Sequence, residues 1–156
     1  MYEVSVELGV EEDVDVAGLR RLAEVVMAGE GVAVGTALAI LVTDDEQIRS
    51  MNRQFLGIDE PTDVLSFPDE ADDFVQGVAG DVLLGDIAIS LPTARRQAEA
   101  NGIGLDLELA HLLVHGVLHL CGWDHVENAD AEAALRAREE LYVPGLKHSA
   151  PHGISG

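Results

Sequence analysis

The sequence predicts an α/β (α+β) fold, a small mixed β-sheet flanked by helices. Short apolar runs typical of strands alternate with longer segments in which apolar residues return every three to four positions. With 47% apolar side chains among 156 residues, the chain can bury one core, and no linker or internal repeat divides it. We therefore expect a single domain over residues 1–143 and a flexible tail, rich in Gly and Pro, over residues 144–156.

The strands and helices can be placed in chain order. Strand patterns cover residues 2–8, 36–43, 64–67 and 83–89, and helical patterns cover residues 14–27, 44–55, 92–100, 106–120 and 131–141. Asp44 and Asp45 favour a helix start, because carboxylates stabilise the positive end of a helix. The last helix is expected to expose its charged face, and residues 69–80 to form a mobile loop. The order of the strands cannot be read from this pattern.

Three histidines have the spacing of a metal site. His115 and His119 are four residues apart, so a helix places both rings on one face. Gly122 can take a positive φ where this helix ends, which lets the chain bring His125 to the same point. Three neutral imidazoles leave one open position on a tetrahedral zinc, as in catalytic sites. We predict one zinc ion and a metal-hydrolase domain, although spacing cannot distinguish zinc from nickel or another divalent ion.

The spacing of these histidines is metzincin-like, with one departure. Metzincin proteases carry a glutamate directly after the first histidine, and this chain has Gly116 there. That glutamate is the general base of peptide hydrolysis. A metal-dependent peptidase or amidase therefore stays open only if a carboxylate from elsewhere replaces it.

Two neighbouring residues are weaker candidates. His111 extends the histidine stripe by one turn; it is expected to line the cleft or to pair with Glu108. Asp124 precedes His125 and is a candidate hydrogen-bond acceptor that orients a ligating histidine, because such a histidine usually donates its other ring N–H to a carboxylate or carbonyl. An ordinary loop position is an equal alternative for Asp124.

Three blocks of sequence resemble the YbeY family of bacterial zinc-dependent endoribonucleases. The first is HGVLHLCGWDH at residues 115–125, with Trp123 where a tyrosine is more usual. The second is DEPTDVLSFP at residues 59–68, and the third is LGDIAIS at residues 84–90. The resemblance implies a zinc-dependent enzyme that cleaves single-stranded RNA and acts in ribosomal RNA maturation and in ribosome assembly or quality control.

One position departs from the family pattern. Members resemble one another in an aromatic residue followed by an arginine that is thought to act on the RNA phosphate, and this chain has Leu56 there, after Phe55. Arg53 is the nearest cation that can substitute, so it is a candidate catalytic residue. An arginine stabilises charge that develops on a phosphate.

The second and third blocks supply the remaining candidates. The resemblance places Thr62, Asp63 and Ser66 on the wall of the substrate cleft, although turn and strand-capping roles explain these residue types equally well. Asp86, in a predicted strand, is a candidate general base.

Composition limits the partners. A net charge of −20 argues against broad, nonspecific nucleic-acid binding, so a local positive cleft would have to come from the metal and a few arginines. The candidates are Arg49, Arg53, Arg95 and Arg96. The acidic body suits a basic partner such as a ribosomal protein, so a noncatalytic ribosome-assembly factor that contains zinc is a further alternative.

The expected location is the cytoplasm. Cys121 is the single cysteine, which rules out an internal disulfide and fits a reducing compartment. No segment has the pattern of a signal peptide or the length of a membrane span, so no membrane partner is expected. The sequence does not determine the oligomeric state.

Overall fold

A computed structural model describes residues 2–68, 83–122 and 129–143 of the chain. Over these residues the elements are β1 (Glu3–Leu8), α1 (Val16–Gly29), β2 (Ala37–Thr43), α2 (Asp45–Leu56), β3 (Val64–Pro68), β4 (Leu83–Ser90), α3 (Leu91–Asn101), α4 (Leu105–Leu120) and α5 (Ala129–Tyr142). The predicted strands and helices are confirmed, each end within a shift of about two residues. The loop predicted at residues 69–80 and the tail predicted at residues 144–156 lie outside the described residues.

The strands form one mixed sheet in the order β1-β2-β4-β3. Strands β1, β2 and β4 are parallel, and β3 runs antiparallel to β4. The predicted fold class is therefore confirmed. Both inner strands are rich in apolar residues on both faces, because each face of the sheet has a helix over it.

The two faces of the sheet carry different helices. On one face, Ile40 and Ile87 join the main core with residues of α1, α3, α4 and α5. On the other face, Leu65 and Ala88 form a smaller cluster with Ile48 of α2. Successive side chains of a strand point to opposite faces, so each strand residue can be assigned to one side or the other.

Asp45 joins the starts of α2 and α3. Its Oδ1 accepts hydrogen bonds from Ser90 Oγ and from Thr93 Oγ1 at 2.6 Å, and its Oδ2 lies 2.8 Å from a guanidinium nitrogen of Arg96. Burial of Asp45 opposes its ionisation, but these hydrogen bonds and the charge of Arg96 outweigh burial and lower the pKa of Asp45. The carboxylate therefore fixes two helix N-termini at the edge of the smaller cluster.

Helix α4 is the most buried helix of the described part of the chain, and eight residues in a row, from His111 to Leu118, are buried. Across the described ranges, none of the helices is by itself long and apolar enough to cross a membrane. Helices α3 and α4 are bent by 115° relative to each other, and only when taken together do they have the length and apolar composition of a membrane span.

Candidate metal site

The metal site is built on α4, whose apolar residues bury it between the sheet and the other helices. His111, His115 and His119 follow one another at intervals of one turn, so their rings lie along one face. His111 and His115 are buried, and His119 is half-buried at the end of the helix. The helix thus delivers two of the three predicted ligands to one place.

The ring nitrogens of His115 and His119 converge. Their Nε2 atoms are 2.7 Å apart, and the ring centroids are 4.4 Å apart. On the other side of its ring, His115 Nδ1 makes a hydrogen bond with Glu139 Oε2. Because a carboxylate only accepts, His115 Nδ1 donates this hydrogen bond, and Nε2 of His115 faces His119.

This arrangement fits a metal ion. Two nitrogen ligands of one tetrahedral zinc lie roughly 3.3 Å apart, as follows from Zn–N distances of about 2.0–2.1 Å. The Nε2 atoms of His115 and His119 are 2.7 Å apart, so they need to separate by only about half an ångström to reach this spacing. Gly122 has a positive φ of 108°, as the predicted turn after the helix requires. The predicted third ligand, His125, and Asp124, the predicted hydrogen-bond acceptor of a ligating histidine, lie outside the described residues.

Glu139 is the site residue that sequence reasoning missed. It is 2% exposed, in α5, although that helix was expected to turn its charges outward. Leu135 and Val143, one turn before and after Glu139, are also buried in the core. This spacing of four was the available signal, because it places Glu139 within the apolar stripe of α5.

Glu139 lies between two histidines. Its Oε1 is 3.5 Å from His111 Nε2, and its Oε2 contacts His115. Burial raises the pKa of Glu139, but the hydrogen bonds and charge interactions with His111 and His115 outweigh burial and lower it. His111 was expected to line the cleft or to pair with Glu108; the structure places its ring beside Glu139.

His111, His115 and Glu139 also satisfy the geometry of a metal-binding group, with one possible ligand atom of each within 4.8 Å of the others. The chain can therefore hold a metal ion at this end of α4. The donor set of two imidazoles and one carboxylate suits several divalent metals, so it does not identify the ion.

Gly116 faces the sheet. A Cβ atom at this position would lie 3.1 Å from Cδ1 of Ile87 and 3.2 Å from its Cγ2. The position after the first histidine therefore has no room for the glutamate that serves metzincins as the base. A glutamate here would enter the core between α4 and β4.

The carboxylate of Asp63 makes structural hydrogen bonds near the start of β3. Its Oδ1 accepts a hydrogen bond from the backbone of Val64 at 2.8 Å and one from Thr62 Oγ1 at 3.3 Å, and Oδ2 accepts from Gln97 at 3.3 Å. These contacts hold the start of β3 against α3. They favour the turn and capping role for Thr62 and Asp63 over a position on the cleft wall.

Ser66 and Asp86 lie on opposite faces of the sheet. Ser66 is paired with Ile87, whose side chain faces Gly116, so Ser66 points to the side of α4. Asp86 is paired with Phe67, which packs on the cluster beneath α2. The structure thus brings Ser66 to the side of the histidines, and it does not bring Asp86 there.

Asp86 instead lines a groove of about 700 Å³ between the open part of the sheet and α2. The residues that line it include Glu7, Leu41, Phe55, Leu56, Phe67 and Asp86. Phe55 is 59% exposed and Leu56 is 41% exposed. Leu56, the position where the sequence resemblance implies an arginine, therefore lies at this groove.

The groove and the metal site meet at one end of β4. A Cβ atom at Gly85 would lie 2.8 Å from Leu120, the residue after His119, and 2.5 Å from the backbone oxygen of Phe67. Only glycine allows the end of α4 to approach the strand this closely. The histidines and the groove therefore lie on opposite faces of the sheet but at the same end of β4.

Three of the four candidate arginines are already paired with carboxylates. The ion pairs are Arg49–Asp59, Arg95–Glu12 and Arg96–Asp45. Arg53 is exposed in the last turn of α2, and among the described residues it makes no ion pair of its own. Arg53 is therefore the candidate cation that is left to meet an anionic ligand.

Comparison with known proteins connects this site with a family. The family model described as Endoribonuclease YbeY matches residues 7–146. A relative named Endoribonuclease YbeY from Moorella thermoacetica is 46% identical over 82% of this chain and 84% of its own length. One from Chloroflexus aggregans is 42% identical over 91% of this chain and 95% of its own length.

A solved structure is similar in fold. The solution structure of TM1509 from Thermotoga maritima superposes with a TM-score of 0.61, at 24% sequence identity, over 92% of this chain and 87% of that one. The resemblance carried by the three sequence blocks is confirmed by the family model and by relatives matched over most of the chain. The chain belongs to the endoribonuclease YbeY family.

Proposed function

We propose that this chain is a zinc-dependent endoribonuclease that hydrolyses phosphodiester bonds in single-stranded RNA during ribosomal RNA maturation. Membership of the family makes it an endoribonuclease, and hence a hydrolase that acts on RNA. The observation that carries the metal dependence is the convergence of the Nε2 atoms of His115 and His119, 2.7 Å apart, at the end of a buried helix. Family membership alone does not identify the ribosomal substrate or the zinc ion, so both are part of the proposal.

We assign one zinc ion to His115, His119 and His125. Three imidazoles with one open position are the ligand set of a catalytic zinc, and Asp124 is the proposed outer partner of a ligand. When bound, the metal supplies a Lewis acid for a phosphate oxygen and lowers the pKa of a bound water. The residues of the chain hold the ring nitrogens in place and exclude water from the helix that carries them.

The groove beside α2 is the proposed path of the RNA strand. Phe55 presents an exposed ring there, in contact with Phe67 at a centroid distance of 5.1 Å. Aromatic rings bind unstacked bases, whereas a duplex keeps its bases stacked inside. Arg53 is the proposed phosphate contact. Asp86 remains a proposal as the general base, although it lines this groove on the face of the sheet opposite the histidines.

A noncatalytic role as a zinc-containing ribosome-assembly factor is the second candidate. The observations that favour it are Leu56 at the arginine position and the net charge of −20, which suits docking to a basic ribosomal protein. Stable ribosome association by folded His115→Ala without RNA cleavage would support it. In either case we propose a cytoplasmic location and a single domain over residues 1–143.

Two observations argue against the alternative that the chain is a metal-dependent peptidase or amidase. Gly116 packs against Ile87, so the position of the missing glutamate is closed. Glu139 is a buried carboxylate beside the histidines, and its Oε2 is engaged by the proton of His115 Nδ1. Cleavage of an unstructured peptide in the absence of RNA cleavage would restore this alternative.

The experiment that tests the proposal compares substrates and metals. Purified protein is stripped of metal, reloaded with zinc or nickel, and given one labelled sequence as single-stranded RNA, as duplex RNA and as single-stranded DNA. We expect cleavage only of the single-stranded RNA and only after reloading. Equal cleavage of DNA, or cleavage by stripped protein, would contradict the proposal.

A further inference from the structure

The contact between Glu139 and His115 joins two helices around one ring. Glu139 Oε2 accepts the hydrogen bond from His115 Nδ1, while His115 Nε2 faces His119. An imidazole that binds a metal with one nitrogen usually donates the other to a carboxylate, which sets the tautomer and the ring orientation. The two nitrogens of His115 are disposed for these two roles.

Glu139 is fixed by more than this one contact. Leu135 and Val143, on either side of it, are 6% and 4% exposed in the core. On the same helix, Arg138 Nε and the Tyr142 hydroxyl donate to Glu30 at 2.7 and 2.6 Å, which ties α5 to the end of α1. Helix α5 therefore presents Glu139 rigidly to the histidine ring.

The second oxygen of the carboxylate is also in use. Glu139 Oε1 lies 3.5 Å from His111 Nε2, so the group is held between two rings. Oε2 is hydrogen-bonded to His115 Nδ1, the ring nitrogen other than the Nε2 that faces His119. This geometry suits a carboxylate that orients a ligand better than one that is itself a ligand.

We propose that Glu139 is a positioning residue that keeps the proton of His115 on Nδ1 and so holds its Nε2 ready to bind the metal. This inference rests on the proposed metal site at His115 and His119 and adds the residue that sets its affinity. Glu139 does not touch the substrate or the metal; it acts through His115.

The test uses two readouts that do not depend on RNA cleavage. Long-range proton–nitrogen NMR on the metal-free protein reports which ring nitrogen of His115 carries the proton. Competition with a chromophoric chelator reports the dissociation constant for zinc. The variants are Glu139→Ala, Glu139→Gln and, as the matched control, Glu140→Gln, which removes the same charge from the next residue, on the exposed side of α5.

We expect Glu139→Ala to lose the Nδ1–H tautomer and to bind zinc about 10–100-fold more weakly, the range seen when outer partners of metal ligands are removed. Glu139→Gln keeps an acceptor oxygen and the side-chain shape, so it should keep the tautomer and bind within about tenfold of wild type. Glu140→Gln should match wild type in both readouts.

Two results would overturn the inference. An unchanged tautomer and unchanged zinc affinity in folded Glu139→Ala would show that the contact is structural only. Complete loss of zinc in folded Glu139→Gln would show that Glu139 is itself a ligand. If wild type bound no zinc, the proposed function would fail, while the tautomer of metal-free protein would still decide whether Glu139 controls His115.

Discussion

At the scale of single residues, the smallest side chain in α4 has a large effect on what the site can be. Gly116 lies against Ile87, and a glutamate there would put a charge into the core. We expect Gly116→Glu to lower the free energy of unfolding by more than about 3 kcal/mol, through overpacking and burial of an unpaired charge. Urea denaturation followed by circular dichroism measures this.

Gly104→Glu is the control for that substitution. It introduces the same side chain at the start of the same helix, where a Cβ atom meets nothing within 4 Å. The expected change is small, because a negative charge is favourable at a helix N-terminus. If Gly116→Glu were as stable as Gly104→Glu, or gained peptidase activity, the assignment of Gly116 to the sheet side of α4 would be wrong.

Leu56 is the second residue whose identity matters. It lines the groove, and it stands at the position where the sequence resemblance implies an arginine. We expect Leu56→Arg to raise kcat/KM for single-stranded RNA about tenfold, because a guanidinium near a phosphate stabilises charge that develops in the transition state. Initial rates at subsaturating RNA measure this.

Leu141→Arg adds the same charge at an exposed position on α5 and serves as its control. An equal gain in both variants would mean that any added positive charge attracts RNA to this acidic chain. No gain in either would mean that Leu56 is not at the phosphate, and the assembly-factor role would gain support.

At the scale of elements, the sequence was sufficient to locate each helix or strand that carries its own periodicity. The helix with the histidine stripe and the apolar strand at residues 36–43 could be located because their patterns are local. The order of the strands could not be predicted from the sequence, because strand pairing depends on tertiary contacts. Glu139 was missed for a related reason: its place in the apolar stripe of α5 can be read from the sequence, but its contact with His115 depends on the packing of α5 on α4.

Asp45 provides a prediction about how α2 and α3 are joined. Asp45→Asn should lower the thermal midpoint by a few degrees at neutral pH, since the carboxylate then no longer accepts charge-assisted hydrogen bonds from α3. The pKa of Asp45 is lower in the folded protein than its ordinary value of 3.8. Its contribution to stability is therefore present above that value and is lost as the pH falls through the folded pKa.

The measurement is the thermal midpoint of Asp45→Asn and wild type between neutral pH and about pH 3, near and below the ordinary pKa of an aspartate, with a chelator present throughout. The difference should narrow below the ordinary pKa of aspartate. Glu46→Gln removes a charge from the next residue, which is exposed in the same helix turn, and should show a smaller difference. A difference that does not change with pH would contradict the role of the ionised carboxylate.

At the scale of the whole molecule, the net charge determines how binding and cleavage of RNA depend on salt concentration. A nuclease that attracts RNA by a basic surface loses affinity steeply as salt rises, because binding releases counterions. With a net charge of −20, this chain should instead show a flat or rising kcat/KM for RNA between roughly 50 and 200 mM salt, as screening weakens repulsion. Cleavage rates over a potassium chloride series test this, and a steep fall with salt would reveal a basic surface that the described residues do not show.

The central claim is that the histidines of α4 hold the metal with which the chain cleaves RNA. The most direct test measures metal content and single-stranded RNA cleavage together, in wild type, His119→Ala and His152→Ala, whose histidine the sequence does not predict to be a ligand. We predict about one zinc per chain and cleavage in wild type and His152→Ala, with both lost in His119→Ala, as expected when one of three zinc ligands is removed. Full metal and full cleavage in His119→Ala, or zinc-loaded wild type that leaves RNA intact, would contradict the account.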